Sequence, residues 1–253
     1  MSLLYHPRMT QPQARKPRTA EMHVGPGLRM RAVTQRPDPE LVAGFAEFET
    51  PSVSDLMNRL YALSPAVSCL TPAAPTLIGP AFPVKVLPGD NLFVHAALDV
   101  AAPGDVVVVD AGGAGPAAVL GDLVATKARH RGIAGFVVDG LVRDLPGILA
   151  LGDFPVFARG VTPIGPLHRG PGELGYPVSI AGIVVHPGDI VVADTNGVVI
   201  VPQDDAAAVL ARMRERSAAE AEYVAAVARG DFSNSWVDDT LRAAGVEPLR
   251  PAP

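Results

Sequence analysis

Three charged residues with a particular spacing are the part of this sequence best suited to chemistry. Asp122 is followed, after twenty intervening residues, by the adjacent pair Arg143 and Asp144. Two carboxylates can bind a hard divalent cation such as Mg²⁺ or Mn²⁺, and a guanidinium can bind a carboxylate through two parallel hydrogen bonds. The three side chains could therefore bind a metal ion and an oxo acid together, if the fold brings them to one place.

The elements around these residues predict that it does. A buried strand at 105–110 leads through a Gly-rich loop into an Ala-rich helix that ends near residue 131, and a second buried strand, 135–139, ends just before Arg143. In such a βαβ unit the helix start and the end of the second strand lie at the same edge of the sheet, where open α/β sheets bind ligands. We therefore expect one small cleft there.

The start of the helix has two possible positions. It begins either at Pro116 or, re-initiated, at Gly121 and Asp122. In the second case the backbone amides of Leu123 and Val124 would point at the cleft, and the positive end of the helix dipole would favour a small carboxylate.

The Gly-rich loop also permits a different function. Residues 113–118 match the pattern Gly-x-Gly-x-x-Ala, and Asp139 ends the next strand, which together form a partial dinucleotide-binding fingerprint. Against this interpretation, several strands precede the motif and too few regular βα units follow it. A tight strand-to-helix loop is the commoner explanation.

The pair Arg143 and Asp144 would, alone, be typical of a solvated surface ion pair. A buried strand precedes it, and Gly140 and residues 146–147 give its loop a fixed shape, which favours a functional role. The histidines lack metal-ligand spacing, but His95, in a predicted strand after Asp90 and Asn91, could border a site.

Composition and pattern predict the fold class. Of the 253 residues, 48% are apolar but only 5% are aromatic, so Val and Ala fill the interior, which favours a β-rich α/β packing. Helices are predicted at 51–63, with Thr50 as the N-cap, and at 116–131 and 204–229. The strand-dense middle favours a mixed sheet or ββα sandwich over a doubly wound sheet.

Turn signals place several of the strands. The tripeptide Pro-Gly-Asp occurs three times, and each copy precedes a predicted strand. These strands are 91–96, 106–110 and 190–193. Asn196-Gly197 predicts a hairpin turn after the last of them.

The charge distribution suggests how the chain is divided. The net charge of −5 excludes nucleic-acid binding by the chain as a whole, but residues 1–36 carry seven Lys and Arg against one acid. We predict a flexible basic extension at 1–40, with a nucleic-acid-binding tail as the sharper alternative. A catalytic domain would then span 41–230, and a C-terminal extension 231–253.

Two observations bear on the compartment. No secretion-signal core and no run near the length of a membrane span is present, and Cys69 is the single cysteine. Intrachain disulfides and a cysteine-based zinc site are excluded. These features predict a cytoplasmic protein without a membrane partner.

At this point the sequence resembles a known family. Gly121-Asp122 and residues 140–144 (GLVRD), with residues 154–158 and 187–202, are similar to the RraA-like family over roughly residues 45–230. Its enzymatic members are the class II 4-hydroxy-4-methyl-2-oxoglutarate / 4-carboxy-4-hydroxy-2-oxoadipate aldolases. The resemblance implies an α/β fold, a ββα sandwich of the swivelling-domain type, that assembles as a homotrimer or a dimer of trimers.

The resemblance also implies roles for the site residues. Asp144 would bind Mg²⁺ or Mn²⁺ directly and Asp122 would bind it through water. Arg143 would hold the pyruvyl group of the substrate, and the amides of Leu123 and Val124 its carboxylate.

Two further implications concern the edge of this site. Gly121 would border the substrate, and a glutamate from the C-terminal helix of a neighbouring subunit would approach the metal. Glu220 or Glu222 is the candidate for that glutamate.

The implied reaction is the retro-aldol cleavage of a 4-hydroxy-2-oxo di- or tricarboxylic acid to pyruvate and an oxo acid, with oxaloacetate decarboxylation through the same enolate. Lys127 lies on a different helix face from Asp122, so a Schiff-base aldolase is not expected. The alternatives are a non-catalytic regulator of RNA processing, like the ribonuclease E regulators of this family, a nicotinamide enzyme, or a lyase recruited to a specialised pathway.

Overall fold

The computed structural model describes residues 21–113 and 115–249, with the backbone alone at residues 218 and 219. The helices are α1 (Pro39–Gly44), α2 (Thr50–Leu56), α3 (Leu92–Val100), α4 (Asp122–His130), α5 (Leu145–Leu149), α6 (Ala206–Ala228) and α7 (Ser235–Ala243). The strands are β1 (Leu28–Met30), β2 (Ser68–Cys69), β3 (Leu77–Val86), β4 (Val106–Asp110), β5 (Ala118–Leu120), β6 (Gly135–Val142), β7 (Val156–Val161), β8 (Gly172–Leu174), β9 (Val178–Ile180), β10 (Ile183–Val185), β11 (Ile190–Asp194) and β12 (Gly197–Val201).

The main sheet is mixed. Its centre consists of β3, β4, β6 and β7 in parallel, with β8 antiparallel to β3 and β1 parallel to β8. At the other edge β2 runs antiparallel to β7, while β11 and β12 form a hairpin that joins β3. The predicted mixed α/β fold with a mixed central sheet is confirmed, and so is the hairpin at Asn196-Gly197.

Strand β4 explains why the sequence forms this centre. Its four consecutive valines and Asp110 are all buried, and it lies between two parallel neighbours. A parallel strand covered on both faces needs apolar side chains on both faces. Helices α3, α4 and α5 cover one face through one hydrophobic cluster.

The other face of the central sheet carries a second strand layer. Along β11 the side chains alternate, as a strand requires. Val191 and Ala193 pack with the central strands and the β9–β10 hairpin, whereas Ile190 and Val192 pack with α1, α2 and α6. The order of layers is therefore helices, central sheet, second strand layer, helices.

Helix α2 differs from its prediction at both ends. The hydroxyl of Thr50 does not cap the helix but donates to Asp194 Oδ1 at 2.7 Å, and its amide donates to Asp194 Oδ2 at 2.9 Å. The helix ends at Leu56 and not near Leu63, because Asn58 and Arg59 adopt positive φ angles of 57° and 64°.

Helix α3 corrects a predicted strand. Residues 91–96 were expected to be extended, but Leu92–Val100 is helical. The buried residues Phe93, Val94, Ala97 and Leu98 have the spacing of one helix face. His95 therefore lies on a helix.

Part of the predicted N-terminal extension belongs to the folded body. Arg29 on β1 forms an ion pair with Glu173 at 2.9 Å, and Arg36 binds both carboxylate oxygens of Asp105 at 2.8 and 2.7 Å. The flexible arm predicted for residues 1–40 is thus wrong for 28–36. Residues 1–20 lie outside the described part, so the prediction for them stays open.

At the other end, α7 lies within the predicted C-terminal extension and contains no buried residue. Within the described ranges, no helix combines the length and the apolar character needed to cross a bilayer.

Candidate active site

Strand β5 decides where the site helix begins. Residues 118–120 pair in parallel with the end of β6, with Leu120 opposite Val142. Helix α4 therefore starts at Asp122, the second of the two predicted positions, and not at Pro116. The Gly-rich loop leads into a strand, so it lacks the loop-to-helix geometry that a dinucleotide fingerprint requires.

The parallel pairing also explains why the charged residues meet. Asp122 follows β5 and Arg143 follows β6, and the two strands end at the same edge. The amide of Arg143 donates to the carbonyl of Leu120 at 2.9 Å, which fixes one chain turn against the other. The structure thus brings Asp122, Arg143 and Asp144 to one place.

Two glycines show how closely the two turns interlock. A Cβ atom added at Gly121 would lie 2.5 Å from Asp144 Oδ2, and one added at Gly147 would overlap Asp122 Oδ2. Each carboxylate therefore rests against the backbone of the turn that carries the other one.

The acidic turn itself has an unusual backbone. Asp144 adopts a φ of 56°, in the left-handed region that non-glycine residues seldom occupy. Its carbonyl accepts hydrogen bonds from the amides of Gly147 and Ile148 at 3.0 and 3.1 Å, so it begins α5. Strained backbone of this kind is concentrated at functional sites.

The side chains of the site are accessible. Arg143 Nε lies 3.0 Å from Asp144 Oδ2, and the two side chains are 41% and 42% exposed. This arrangement leaves the guanidinium and the carboxylate within reach of a small molecule.

The two amides predicted to bind a substrate carboxylate have acceptors within the chain. The amide of Leu123 donates to Asp122 Oδ1 at 2.7 Å, and the amide of Val124 donates to the carbonyl of Gly121 at 3.1 Å. Their predicted role requires Asp122 to turn away from Leu123, and it stays a prediction.

Glu220 and Glu222 lie on α6, apart from the other predicted residues. Glu220 is 3.8 Å from Arg216 and borders a cleft with Phe48 and Met213. A role at the metal would need a neighbouring copy of the chain, which leaves that prediction untested.

His95 lines a cleft between α3 and α4 with Lys127 and His130. Burial lowers its pKa, and the charges of Lys127 and His168 lower it further. The rings of His95 and His168 are 5.9 Å apart in an edge-to-face arrangement. The structure therefore places His95 in a histidine pair.

The loop between β7 and β8 is a third segment that borders the site, beside the turns at Asp122 and Asp144. It was not predicted from the sequence. A Cβ atom added at Gly165 would lie 2.6 Å from Arg143 Nη1. The loop is fixed to the start of β5 and the chain just before it, because the Thr162 hydroxyl donates to the carbonyl of Pro116 and the Ala118 amide donates to that of Ile164, both at 2.9 Å. Such a long-range contact leaves no local signal in the sequence.

The donor set can be compared with the needs of a divalent cation. Asp122 and Asp144 supply hard carboxylate oxygens, and across the described residues no cluster of three or more His, Cys, Asp or Glu could hold a metal. Mg²⁺ is commonly bound by one or two carboxylates and keeps several waters. The chemistry of the two carboxylates therefore fits such an ion.

A second charged group, the charged row, crosses the sheet on adjacent strands. From β1 to β7 its members are Arg29, Glu173, Lys85, Asp110, Asp139 and Arg159. Asp110 and Asp139 are paired in register and each is 5% exposed. Lys85 lies 3.2 Å from Asp110, and Arg159 forms an ion pair with Asp139.

The chain is similar in sequence to one family of known proteins. Residues 50–200 match the model of the RraA-like family, described as Aldolase/RraA. A protein of Halalkalibacterium halodurans named "Putative 4-hydroxy-4-methyl-2-oxoglutarate aldolase" is 37% identical over 179 residues, which cover 71% of this chain and 84% of that protein. A protein of the same name from Ectopseudomonas mendocina is 40% identical over 45% of this chain and 70% of its own.

Solved structures are similar as well. An uncharacterized protein from Pseudomonas syringae pv. tomato has a TM-score of 0.69 at 28% identity, covering 78% of this chain and 96% of that one. Streptomyces coelicolor RraAS2, described as an unusual member of the RNase ES inhibitor RraA protein family, has a TM-score of 0.65 at 30% identity. The match covers 78% of this chain and 100% of that one.

Proposed function

Because this chain belongs to the RraA-like family, we propose that it is a divalent-metal-dependent carbon–carbon lyase. It would cleave a 4-hydroxy-2-oxo di- or tricarboxylic acid to pyruvate and an oxo acid, and would decarboxylate oxaloacetate. The observation that carries the proposal is the meeting of Asp122, Arg143 and Asp144 at one sheet edge.

Asp144 and Asp122 are the residues that would hold the Mg²⁺ or Mn²⁺. When bound, the cation would supply a Lewis acid that polarises the 2-oxo group and neutralises developing negative charge. The accessible carboxylate of Asp144 and the confined carboxylate of Asp122 are consistent with a direct and a water-mediated ligand respectively.

Arg143 would orient the substrate. Its planar guanidinium can bind the pyruvyl unit through two hydrogen bonds, and its positive charge stabilises the enolate that forms when the bond to C4 breaks. Asp144 and the loop at Gly165 lie on its two sides, so the guanidinium has a defined position before substrate arrives.

Asp122 would handle the proton. In a retro-aldol cleavage the C4 hydroxyl loses its proton as the C3–C4 bond breaks, and the bonding electrons become the pyruvate enolate. Asp122, directly or through a water, would accept that proton. Water then protonates the enolate carbon and pyruvate leaves. Oxaloacetate would lose CO₂ to give the same enolate.

A homo-oligomer would complete the site. Exposed apolar side chains lie on the segments that carry the site, namely Leu123 at 70%, Ile164 at 51%, Val161 at 47% and Leu149 at 45% exposed. Exposed apolar side chains that form a patch can mark a surface that another protein covers. These side chains support association with a second copy, and we propose a trimer or a dimer of trimers in which Glu220 or Glu222 of a neighbouring copy approaches the metal.

The test is pyruvate formation measured with lactate dehydrogenase and NADH. Purified protein with Mg²⁺ or Mn²⁺ should release pyruvate from 4-hydroxy-4-methyl-2-oxoglutarate and from oxaloacetate, well above the rate with metal alone. EDTA should stop the reaction and added Mg²⁺ should restore it. Turnover that survives EDTA would refute the metal-dependent mechanism.

The similarity to the RNase ES inhibitor family supports a second candidate, a non-catalytic regulator of RNA processing. A pure binding protein would have no use for the interlocked acidic turns. Absence of pyruvate formation, together with inhibition of a purified RNase E-type ribonuclease, would favour this candidate.

A further inference from the structure

Two glycines outside the predicted set contact the charged side chains of the site. We propose that Gly147 and Gly165 are positioning residues, in that the lack of a side chain at each lets Asp122 and Arg143 occupy their places. This inference rests on the proposed function, because it assigns those places to the reaction.

The backbone does not require glycine at either position. Neither residue has a φ in the left-handed range that side chains avoid. Gly147 lies within α5, where glycine is a poorer helix former than alanine. What glycine does provide at each position is the space that its missing side chain leaves.

At Gly147 that space is filled by Asp122. An added Cβ would overlap Asp122 Oδ2 and would also lie 2.7 Å from the Cβ and 2.9 Å from the Cγ of Asp122. Rotating the carboxylate cannot relieve the contact with the Cβ atom. An alanine would force the whole Asp122 side chain, or α5 itself, to move.

At Gly165 the conflict is confined to a flexible group. An added Cβ would lie 2.6 Å from Arg143 Nη1 but 3.6 Å from Cζ. The guanidinium can swing away at little cost to the fold. It would then leave the position that Asp144 holds from the other side at 3.0 Å, so the expected damage is to substrate binding.

The experiment compares Gly147→Ala and Gly165→Ala with the control Gly44→Ala. Gly44 is also outside the left-handed range, and its added Cβ would lie 2.5 Å from Leu210 Cδ2, between α1 and α6. Each protein is tested for kcat and KM in Mg²⁺-dependent pyruvate formation, for inhibition by oxalate, which mimics the pyruvate enolate, and for Tm.

For Gly165→Ala we expect KM and the oxalate inhibition constant to rise about 10- to 100-fold with little change in Tm, since misplacing a group by about 1 Å can cost that much. For Gly147→Ala we expect kcat to fall by a similar factor. The control should lower Tm and leave both kinetic constants unchanged. Wild-type kinetics in both site variants would overturn the proposal.

Crystal structures of the variants separate this inference from the proposed function. Displacement of the Asp122 carboxylate or the Arg143 guanidinium by about 1 Å or more in an otherwise unchanged fold supports positioning, even if the wild-type protein forms no pyruvate. Unmoved side chains would overturn it, whatever the activity.

Discussion

The charged row and the active-site residues use the same chemistry under different conditions. In the row, Asp139 is buried, forms an ion pair with Arg159, and accepts the amide of Ala181 at 2.7 Å. At the site, Asp144 is 42% exposed and its ion pair with Arg143 is equally open. The two groups differ in burial: the buried carboxylate is closed to a ligand, whereas the accessible one is able to bind one.

The comparison predicts opposite outcomes for equivalent mutations. Charges in the row should matter for stability and charges at the site for activity. Four experiments test that separation.

The largest effect is expected from Asp144→Ala. Removing the proposed direct ligand should reduce metal-dependent pyruvate formation by more than about 1000-fold, because both cation binding and orientation of Arg143 are lost. The Tm should change by only a few degrees, since an exposed ion pair contributes little to stability. If the variant unfolds, Asp144 is needed for stability, as the residues of the charged row are expected to be.

Asp139→Ala should show the reverse. It leaves the partly buried Arg159 without its partner, which should lower the free energy of unfolding by about 3 kcal/mol, measured by urea denaturation. The kcat per folded molecule should stay near the wild-type value. Asp139→Asn, which keeps an acceptor for the Ala181 amide, is the matched control and should lose less stability.

Arg143→Lys should reduce kcat/KM by about 10- to 100-fold, because an ammonium group cannot reproduce a planar, two-pronged contact. Its Tm should not change. An unaffected kcat/KM would mean that the guanidinium does not bind the substrate.

The smallest effect concerns pH and Glu173 of the row. Burial raises the pKa of Glu173, but hydrogen bonds from the Gly27 amide and Arg29 outweigh it and hold the pKa below its ordinary value of 4.5. The stabilisation is thus complete above about pH 4.5 and is lost as the pH falls through the lower, folded-state pKa. Urea unfolding from pH 7 to pH 3 should show a shallower loss of stability in Glu173→Gln than in wild type. If the free energy of unfolding depends on pH equally in both proteins, Glu173 does not stabilise the fold in this way.

The position of the site could be predicted from the sequence, because parallel strand ends meet at one edge whatever the details of the connection. The connection itself was partly wrong. The segment 118–120 is too short for its sequence pattern to distinguish a strand from the start of a helix. Only their pairing with β6 decides the matter.

Other errors have the same origin in long-range contacts. The apolar run around Phe93 fits a short strand as well as a helix face, and burial against the sheet selects the helix. Thr50 bonds to Asp194, 144 residues away, so it could not be recognised as anything but an ordinary cap. The contacts of Gly147 and Gly165 are equally invisible in the sequence.

The charged row has a further consequence for strand β4. Its four identical valines, 106–109, would fit the core about as well if the strand shifted along its neighbours. They therefore do little to define the register of β4. Asp110 ends this ambiguity: its carboxylate meets Lys85 on one side and accepts the Gly112 amide at 3.0 Å. A shifted register would leave that charge without its partners in an apolar interior. This one aspartate therefore sets the register of a strand whose valines do not.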